Sequence, residues 1–402
     1  MAVLRTGRTL RMLGAGTVAG AVVSVLLAGT GSASSADTGR GPALRLHAGE
    51  LLTAQPLTGS PALPSAAGTD LITYVSDDAH GKPIVVSGTV SVPKGKAPPG
   101  GWPVISWAHG TSGYADICAP SNDTADGPDH DYFAVIDPTL DAWVARGYAV
   151  VQTDYEGLGT PGGHPYLNGI SESNTVVDIV RAGRELDRHI GRNWIAMGHS
   201  QGAQAALFAA QLGNKRAPEL RLRGAVPIAP GGSGIAQLVP YIASGQPGAE
   251  AAEAFLPIIL LGAQAADPAI DPATLLSDAA LPSLTAARTG CLAQLRAVPP
   301  VPGPSVFRAG ADVGPLTTYL AQQDPNTTDP KVPTLIAQGT ADTLVAKPAT
   351  DALVANLCSK GASIDYKVYA GQDHRGSVGA SLADAEQFVD TVITGRKAPT
   401  TC

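Results

Sequence analysis

Five consecutive residues, Gly198-His199-Ser200-Gln201-Gly202, set a serine hydroxyl inside a G-x-S-x-G pattern. A hydroxyl that is to attack a carbonyl carbon must project from a tight strand-to-helix turn, where the backbone is strained and two flanking positions leave no room for side chains. Gly198 and Gly202 answer that need. The pattern alone is weak in a chain with 47 glycines, so its flanks decide. Trp194-Ile195-Ala196-Met197 reads as a short buried strand, and residues 203–212 form an alanine-rich run of high helical propensity. Strand, elbow and helix follow in the order that a serine nucleophile requires, and the chemistry to expect is acyl transfer.

Such a serine is inert without a base to take its proton and an acid to orient that base. In hydrolases built on this unit the acid and then the histidine follow the nucleophile along the chain. Of eight histidines only His374 follows Ser200, in the polar loop Gly371-Gln372-Asp373-His374-Arg375-Gly376 between a strand-like run over 363–369 and a helix-like run over 381–394. Asp342 is the candidate acid. Pro333-Thr334-Leu335-Ile336-Ala337-Gln338 reads as a buried parallel strand, and Gly339-Thr340-Ala341-Asp342 is the loop at its carboxyl end, the edge where open α/β sheets carry their chemistry. Asp373 is the rival; neighbours in sequence rarely orient each other's rings, so it is read as solvated. Acyl transfer also needs donors for the oxyanion. The N–H of Gln201, turned inward by the elbow, is one; the N–H of Thr111 is the other, from His109-Gly110-Thr111-Ser112-Gly113 after the strand-like Pro103-Val104-Ile105-Ser106-Trp107-Ala108.

The elements that must position these groups alternate in type. Residues 37–69 read as an extended N-terminal arm, and 71–75 with 83–92 as a β-hairpin. Strand-like 103–108, a helix near 139–146, strand-like 149–153 and a helix over 172–190 lead to the elbow, and Gly224-Ala225-Val226-Pro227-Ile228-Ala229 is the next strand, with Pro227 awkward for a central position. Alternation of this kind implies a mostly parallel sheet with helices on both faces. About a hundred residues, 231–330, then stand where a plain core needs one helix. Their short alanine- and leucine-rich pieces, with the apolar run Phe255-Leu256-Pro257-Ile258-Ile259-Leu260-Leu261, read as a cap supplying an apolar acyl pocket. The expected organisation is a signal over 1–36, core over 37–230, cap over 231–330 and core again over 331–402.

Several motifs together resemble the secretory lipase family of fungi and actinobacteria, of the yeast lipase A type. They are His109-Gly110-Thr111 followed by Cys118-Ala119-Pro120-Ser121, Asp154-Tyr155-Glu156-Gly157-Leu158-Gly159 followed by His164-Pro165-Tyr166, the elbow, Gly339-Thr340-Ala341-Asp342 and His374. The resemblance covers most of the chain beyond the signal. It implies an α/β-hydrolase fold with a long helical cap and hydrolysis of carboxylic esters, often triacylglycerols. The segment Asp154-Tyr155-Glu156 is given no catalytic role. All four cysteines lie beyond the signal, and an even count in an oxidising compartment suggests two disulfides with three possible pairings. The resemblance favours Cys118 with Cys291 and Cys358 with Cys402.

Arg5, Arg8 and Arg11 precede an apolar run over 12–28 and then small residues, the form of a cleaved export signal. No later stretch of about 18 uninterrupted apolar residues follows, so a soluble secreted protein is expected. The chain holds 27 Lys and Arg against 34 Asp and Glu, a net charge of −7, and loss of the signal removes three arginines and no acid. Nucleic acid and anionic membrane surfaces are poor partners for that balance; transient contact with a lipid interface through apolar burial stays compatible with it. The cysteines lack metal-ligand spacing, so no metal is expected, nor any organic cofactor, and the working unit is expected to be a monomer. The reading is a secreted serine ester hydrolase acting on small-molecule or lipid esters. A peptidase of the same fold, expected to show a charged subsite for a peptide terminus, stays open, as does a thioesterase or acyltransferase.

Overall fold

The computed structural model describes residues 46–402, and the export signal expected over 1–36 lies outside them. The strands join in one nine-stranded sheet. It opens with a meander of β1 (Leu51–Leu57), β2 (Ala66–Asp77) and β3 (Pro83–Pro93). The expected hairpin is β2 against β3, antiparallel from Asp77↔Pro83 to Ala66↔Pro93. β1 corrects the sequence reading, which placed an extended arm and no sheet strand here. Its side chains are mostly exposed and show no apolar alternation, and as an edge strand it tolerates Pro56.

The core follows: β4 (Trp102–Ala108), α1 (His130–Ala145), β5 (Ala149–Thr153), α2 (Gly169–Leu186), β6 (Ile190–His199), α3 (Gln201–Arg216) and β7 (Arg221–Ile228). The helix expected near 139–146 begins at His130 and runs through Pro138, held by Phe133, Ile136, Leu140 and Trp143, which all face the core. The helix expected over 172–190 starts earlier, where the Asn168 side chain caps the Ser171 N–H, and stops at Leu186, leaving Ile190 to open β6. The segment expected as a cap, 231–330, carries α4 (Leu238–Ser244), α5 (Ala249–Glu253), α6 (Leu256–Ala266), α7 (Pro272–Leu275), α8 (Leu281–Ala287), α9 (Leu292–Leu295) and α10 (Gly314–Gln323); β8 (Thr334–Gly339), α11 (Lys347–Ser359), β9 (Ile364–Tyr369) and α12 (Gly376–Ile393) complete the core.

The sheet runs β1-β2-β3-β5-β4-β6-β7-β8-β9, parallel from β5 to β9. One face is covered by α2, α3 and α11, the other by α1 and α12. Pro227 does sit in a central strand. Its missing N–H falls on the β8 side, where the Ala225 and Ala229 N–H groups reach the carbonyls of Pro333 and Ala337 at 3.0 and 2.8 Å and the position between donates nothing. Ala249–Ala266 is apolar enough by length and composition to cross a membrane, yet Glu250 and Glu253 interrupt it and Ile258 to Leu261 are buried in the cap's own core with Val239, Leu284 and Leu316.

Candidate active site

Ser200 stands between β6 and α3 with φ 57° and ψ −115°, a conformation that costs a non-glycine residue free energy and marks the strained elbow. The two glycines have separate reasons. A Cβ on Gly198 would strike the Gly202 carbonyl, and a Cβ on Gly202 would fall on the Ala108 carbonyl at the end of β4. The elbow is thus wedged between β4 and α3, and only hydrogen fits on both sides of the serine.

Asp342 lies in the loop after β8 and His374 in the loop after β9. The His374 Nδ1–H donates to Asp342 Oδ2 at 2.8 Å. That bond fixes the tautomer and leaves Nε2 bare to accept a proton. Asp342 Oδ1 accepts the N–H groups of Leu344 and Val345 at 2.9 and 2.8 Å, and Gln338 Nε2 donates to Oδ2 at 3.1 Å. Burial would raise this carboxyl, but the hydrogen bond and charge of His374, with the two N–H donors, hold it below the ordinary carboxylate range, so it stays ionised. Asp373 is exposed and accepts from the Gly376 N–H at 2.7 Å, which ties it to the start of α12 and not to the imidazole. Ser200 and His374 line one small cavity of about 30 Å³, with Gly110, Thr111 and Tyr132 from the core and Phe255, Leu292 and Arg296 from the cap. Among the described residues no hydrogen bond joins the serine hydroxyl to the imidazole; such contacts commonly tighten only when substrate binds.

The backbone N–H groups of Thr111 and Gln201 have no protein acceptor among the described residues, the state required of donors reserved for a developing oxyanion. Around them is a buried polar scaffold; the sequence reading named His109, Asp154, Tyr155 and His164 as motif residues without a catalytic role, and gave Tyr132 and Glu172 no part in it. The Gly110 N–H donates to the Tyr132 hydroxyl at 2.8 Å, that hydroxyl donates to His199 Nδ1 at 3.0 Å, and His199 Nε2–H donates to the His374 carbonyl at 2.9 Å. One imidazole therefore couples the loop after β4 to the loop of the candidate base. Burial, and then the His374 charge, push His199 well below its ordinary value, so it remains neutral. On the other side the Gln201 amide donates to His164 Nε2 at 3.0 Å and to Glu172 Oε1 at 2.7 Å. Burial raises Glu172 to about 8 and lowers His164 to about 3. Asp154 accepts from Ser87 and Ser121, and the Tyr155 hydroxyl donates to the His109 carbonyl at 2.8 Å. These residues buttress the site from behind. The signal that could have found them was the clustering of polar types in otherwise apolar surroundings.

Both disulfides form in the pairing that the resemblance favoured, Cys118–Cys291 and Cys358–Cys402. The first ties the loop after β4 to the cap, where Leu292 N–H also donates to the Ser112 carbonyl at 2.7 Å. The second pins the tail to α11. The expected apolar acyl pocket in the cap is not formed at Ser200. α6 is apolar from Leu256 to Ala263 and buries that stretch in a core with the neighbouring short helices, and the space over the serine holds little more than a water. A wider cleft of about 370 Å³ adjoins it past Arg296 and Leu344, which wall both.

The family model described as serine aminopeptidase, S33, a group of α/β-hydrolases, matches residues 130–376, from α1 through the elbow and cap to the loop of His374. The chain belongs to that family. Candida antarctica lipase A in its closed state is similar in structure, with a TM-score of 0.73 at 21% identity over 89% of this chain and 85% of that one. The rice cell wall degrading esterase LipA of Xanthomonas oryzae gives 0.67 at 19% identity over 87% of this chain and 100% of its own. At such identities the likeness is one of fold. A lipase A of Moesziomyces aphidis is 33% identical over 113 residues, a segment that covers 27% of this chain and only 24% of that protein. The expected α/β-hydrolase fold is therefore the observed one, whereas activity and substrate have to be argued from the site.

Proposed function

We propose that the protein is a serine ester hydrolase that works through an acyl-enzyme. The observation that carries this is the Asp342–His374 pair at 2.8 Å, opening on the cavity that the strained Ser200 also lines. Ser200 attacks the ester carbonyl, and His374 Nε2 takes its proton. The N–H groups of Thr111 and Gln201 bind the oxyanion, and the protonated imidazole returns its proton to the departing alcohol; water repeats the sequence on the acyl-enzyme. Asp342, kept ionised, stabilises the imidazolium in each half. The steps need no metal or organic cofactor. Two disulfides suit export to an oxidising compartment.

The family description favours a second reading, an aminopeptidase. Such an enzyme needs an anionic group for the substrate's ammonium. Among the described residues no carboxylate lines the cavity of Ser200, and its two charged walls, Arg296 and Arg375, have the wrong sign.

A series of 4-nitrophenyl esters from acetate to palmitate tests the proposal, with Ser200→Ala beside the wild type and amino acid 4-nitroanilides as the peptidase arm. Ester turnover is expected in the wild type, reduced by roughly 10⁴-fold or more in the variant with its melting temperature nearly unchanged. The narrow cavity predicts short acyl chains ahead of long ones. Anilide cleavage without ester turnover would overturn the assignment.

A further inference from the structure

We infer that the substrate is an ester carrying a carboxylate or another oxyanion a few atoms from its scissile carbonyl, held by Arg296 and Arg375. This rests on the ester hydrolase reading and names the substrate class for the same site.

The two guanidiniums approach the cavity of Ser200 from opposite partners. Arg375 follows His374 in the core and lies over the Tyr132 ring, 5.2 Å from its centroid; Arg296, at the end of α9 in the cap, lies over the Phe255 ring at 5.6 Å. Both rings line the same cavity. A guanidinium over an aromatic face is held by cation–π attraction, which uses none of its N–H donors. Among the described residues those donors are committed to no carboxylate. The arginine ion pairs among the described residues belong to Arg146, Arg181, Arg216 and Arg308, and the side chain of Arg375 reaches only the Asp131 carbonyl, at 3.5 Å. The pair also repels itself: partial burial and then the Arg375 charge pull Arg296 below the ordinary arginine range.

Asp129 is an acid that feels both arginines. It is buried behind the cavity, with Oδ1 taken by the Ala293 N–H at 3.3 Å and Oδ2 without a partner, and its desolvated carboxyl stands at about 6 even with both cations acting on it. A chain with an excess of acids thus sets around its candidate nucleophile two cations that, among the described residues, have no ion-pair partner and no lining carboxylate beside them. An incoming carboxylate would relieve their repulsion and accept bidentate hydrogen bonds. The wider cleft beyond Arg296 carries Glu250 and Glu253, so the anionic group has to sit near the ester and not at the far end of a long chain.

The test compares matched esters on the purified protein. Mono-4-nitrophenyl adipate is set against 4-nitrophenyl hexanoate, which places the charge on the acyl side, and 4-acetoxybenzoate against its methyl ester, which places it on the alcohol side. In at least one pair kcat/KM should favour the anion by about tenfold or more, the scale of one charge-assisted contact. The preference should shrink in 0.5 M salt, fall in Arg296→Gln and be largely kept in Arg296→Lys. Hydrolysis of both neutral esters with no preference for either anion overturns the inference and leaves the ester reading intact; the wild-type ratios decide this even if a variant fails to fold. Cleavage of hippuryl-phenylalanine faster than any ester would instead overturn the ester reading, since a peptide's terminal carboxylate presents the same chemistry.

Discussion

Glu172 shows how a residue with no direct part in the chemistry is bound to it. Its side chain is fully buried, its Oε1 accepts from the Gln201 amide and the Leu167 N–H, and its Oε2 has no partner. Desolvation dominates, and the carboxyl keeps its proton up to about pH 8 in the folded chain, whereas an unfolded chain releases it near pH 4.3 or so. Between those values the folded state binds more protons than the unfolded one, so stability falls as pH rises through the window. Asp137 at about 7 and Asp154 at about 6 act in the same direction. The difference between wild type and Glu172→Gln therefore isolates one group. Denaturant unfolding should show the wild type losing stability from pH 5 to pH 8, on the order of a few kcal/mol from Glu172, with a flatter profile in the variant. Parallel profiles would place a charge on Glu172 at neutral pH and contradict its role as a neutral support for Gln201. At this scale the places at strand ends of Ser200, Asp342 and His374, whose catalytic roles are proposed above, were legible because motif and chain order constrain them. Glu172, His164, Tyr132 and His199 were not: each is a polar residue whose role depends on which partner the fold brings to it.

Among the elements, the parallel strands carrying the site could be read as apolar runs, and β5 fell where 149–153 predicted. β1 escaped because an exposed edge strand has no apolar face to reveal it. Residues 231–330, expected as a cap, fold into short helices, and the interior they form was not legible. An apolar run says that a helix must be buried, and leaves open whether it lines a pocket or fills a core; Ile258 to Leu261 fill one. The cap's attachment to the loop after β4 is covalent through Cys118–Cys291, which closes a sequence separation of 173 residues. Removing it by Cys118→Ala with Cys291→Ala should cost about 2–5 kcal/mol, read as a lower melting temperature. Because this loop also carries the Thr111 N–H, kcat on short esters should drop further than the same change at Cys358 and Cys402 produces. Equal effects from the two bridges would argue that the cap does not brace the oxyanion loop.

Over the whole molecule, one sheet brings together groups far apart in sequence. Gly110 and Thr111 follow β4, Ser200 follows β6, Asp342 follows β8 and His374 follows β9, all at the carboxyl ends of parallel strands. Alternating strand and helix signals were enough to predict that convergence. They could not predict the sign of the surface around it, because Arg296 and Arg375 line one cavity only through the packing of residues 231–330 on the sheet's loops. The central claim is that Ser200 is the nucleophile of this assembly. Active-site titration with ethyl 4-nitrophenyl hexylphosphonate, followed by peptide mass analysis, tests it most directly. One equivalent of 4-nitrophenolate should be released, with the phosphonyl adduct on Ser200, and Ser200→Ala should release none. Labelling at another residue, or a full burst from the variant, would contradict the account.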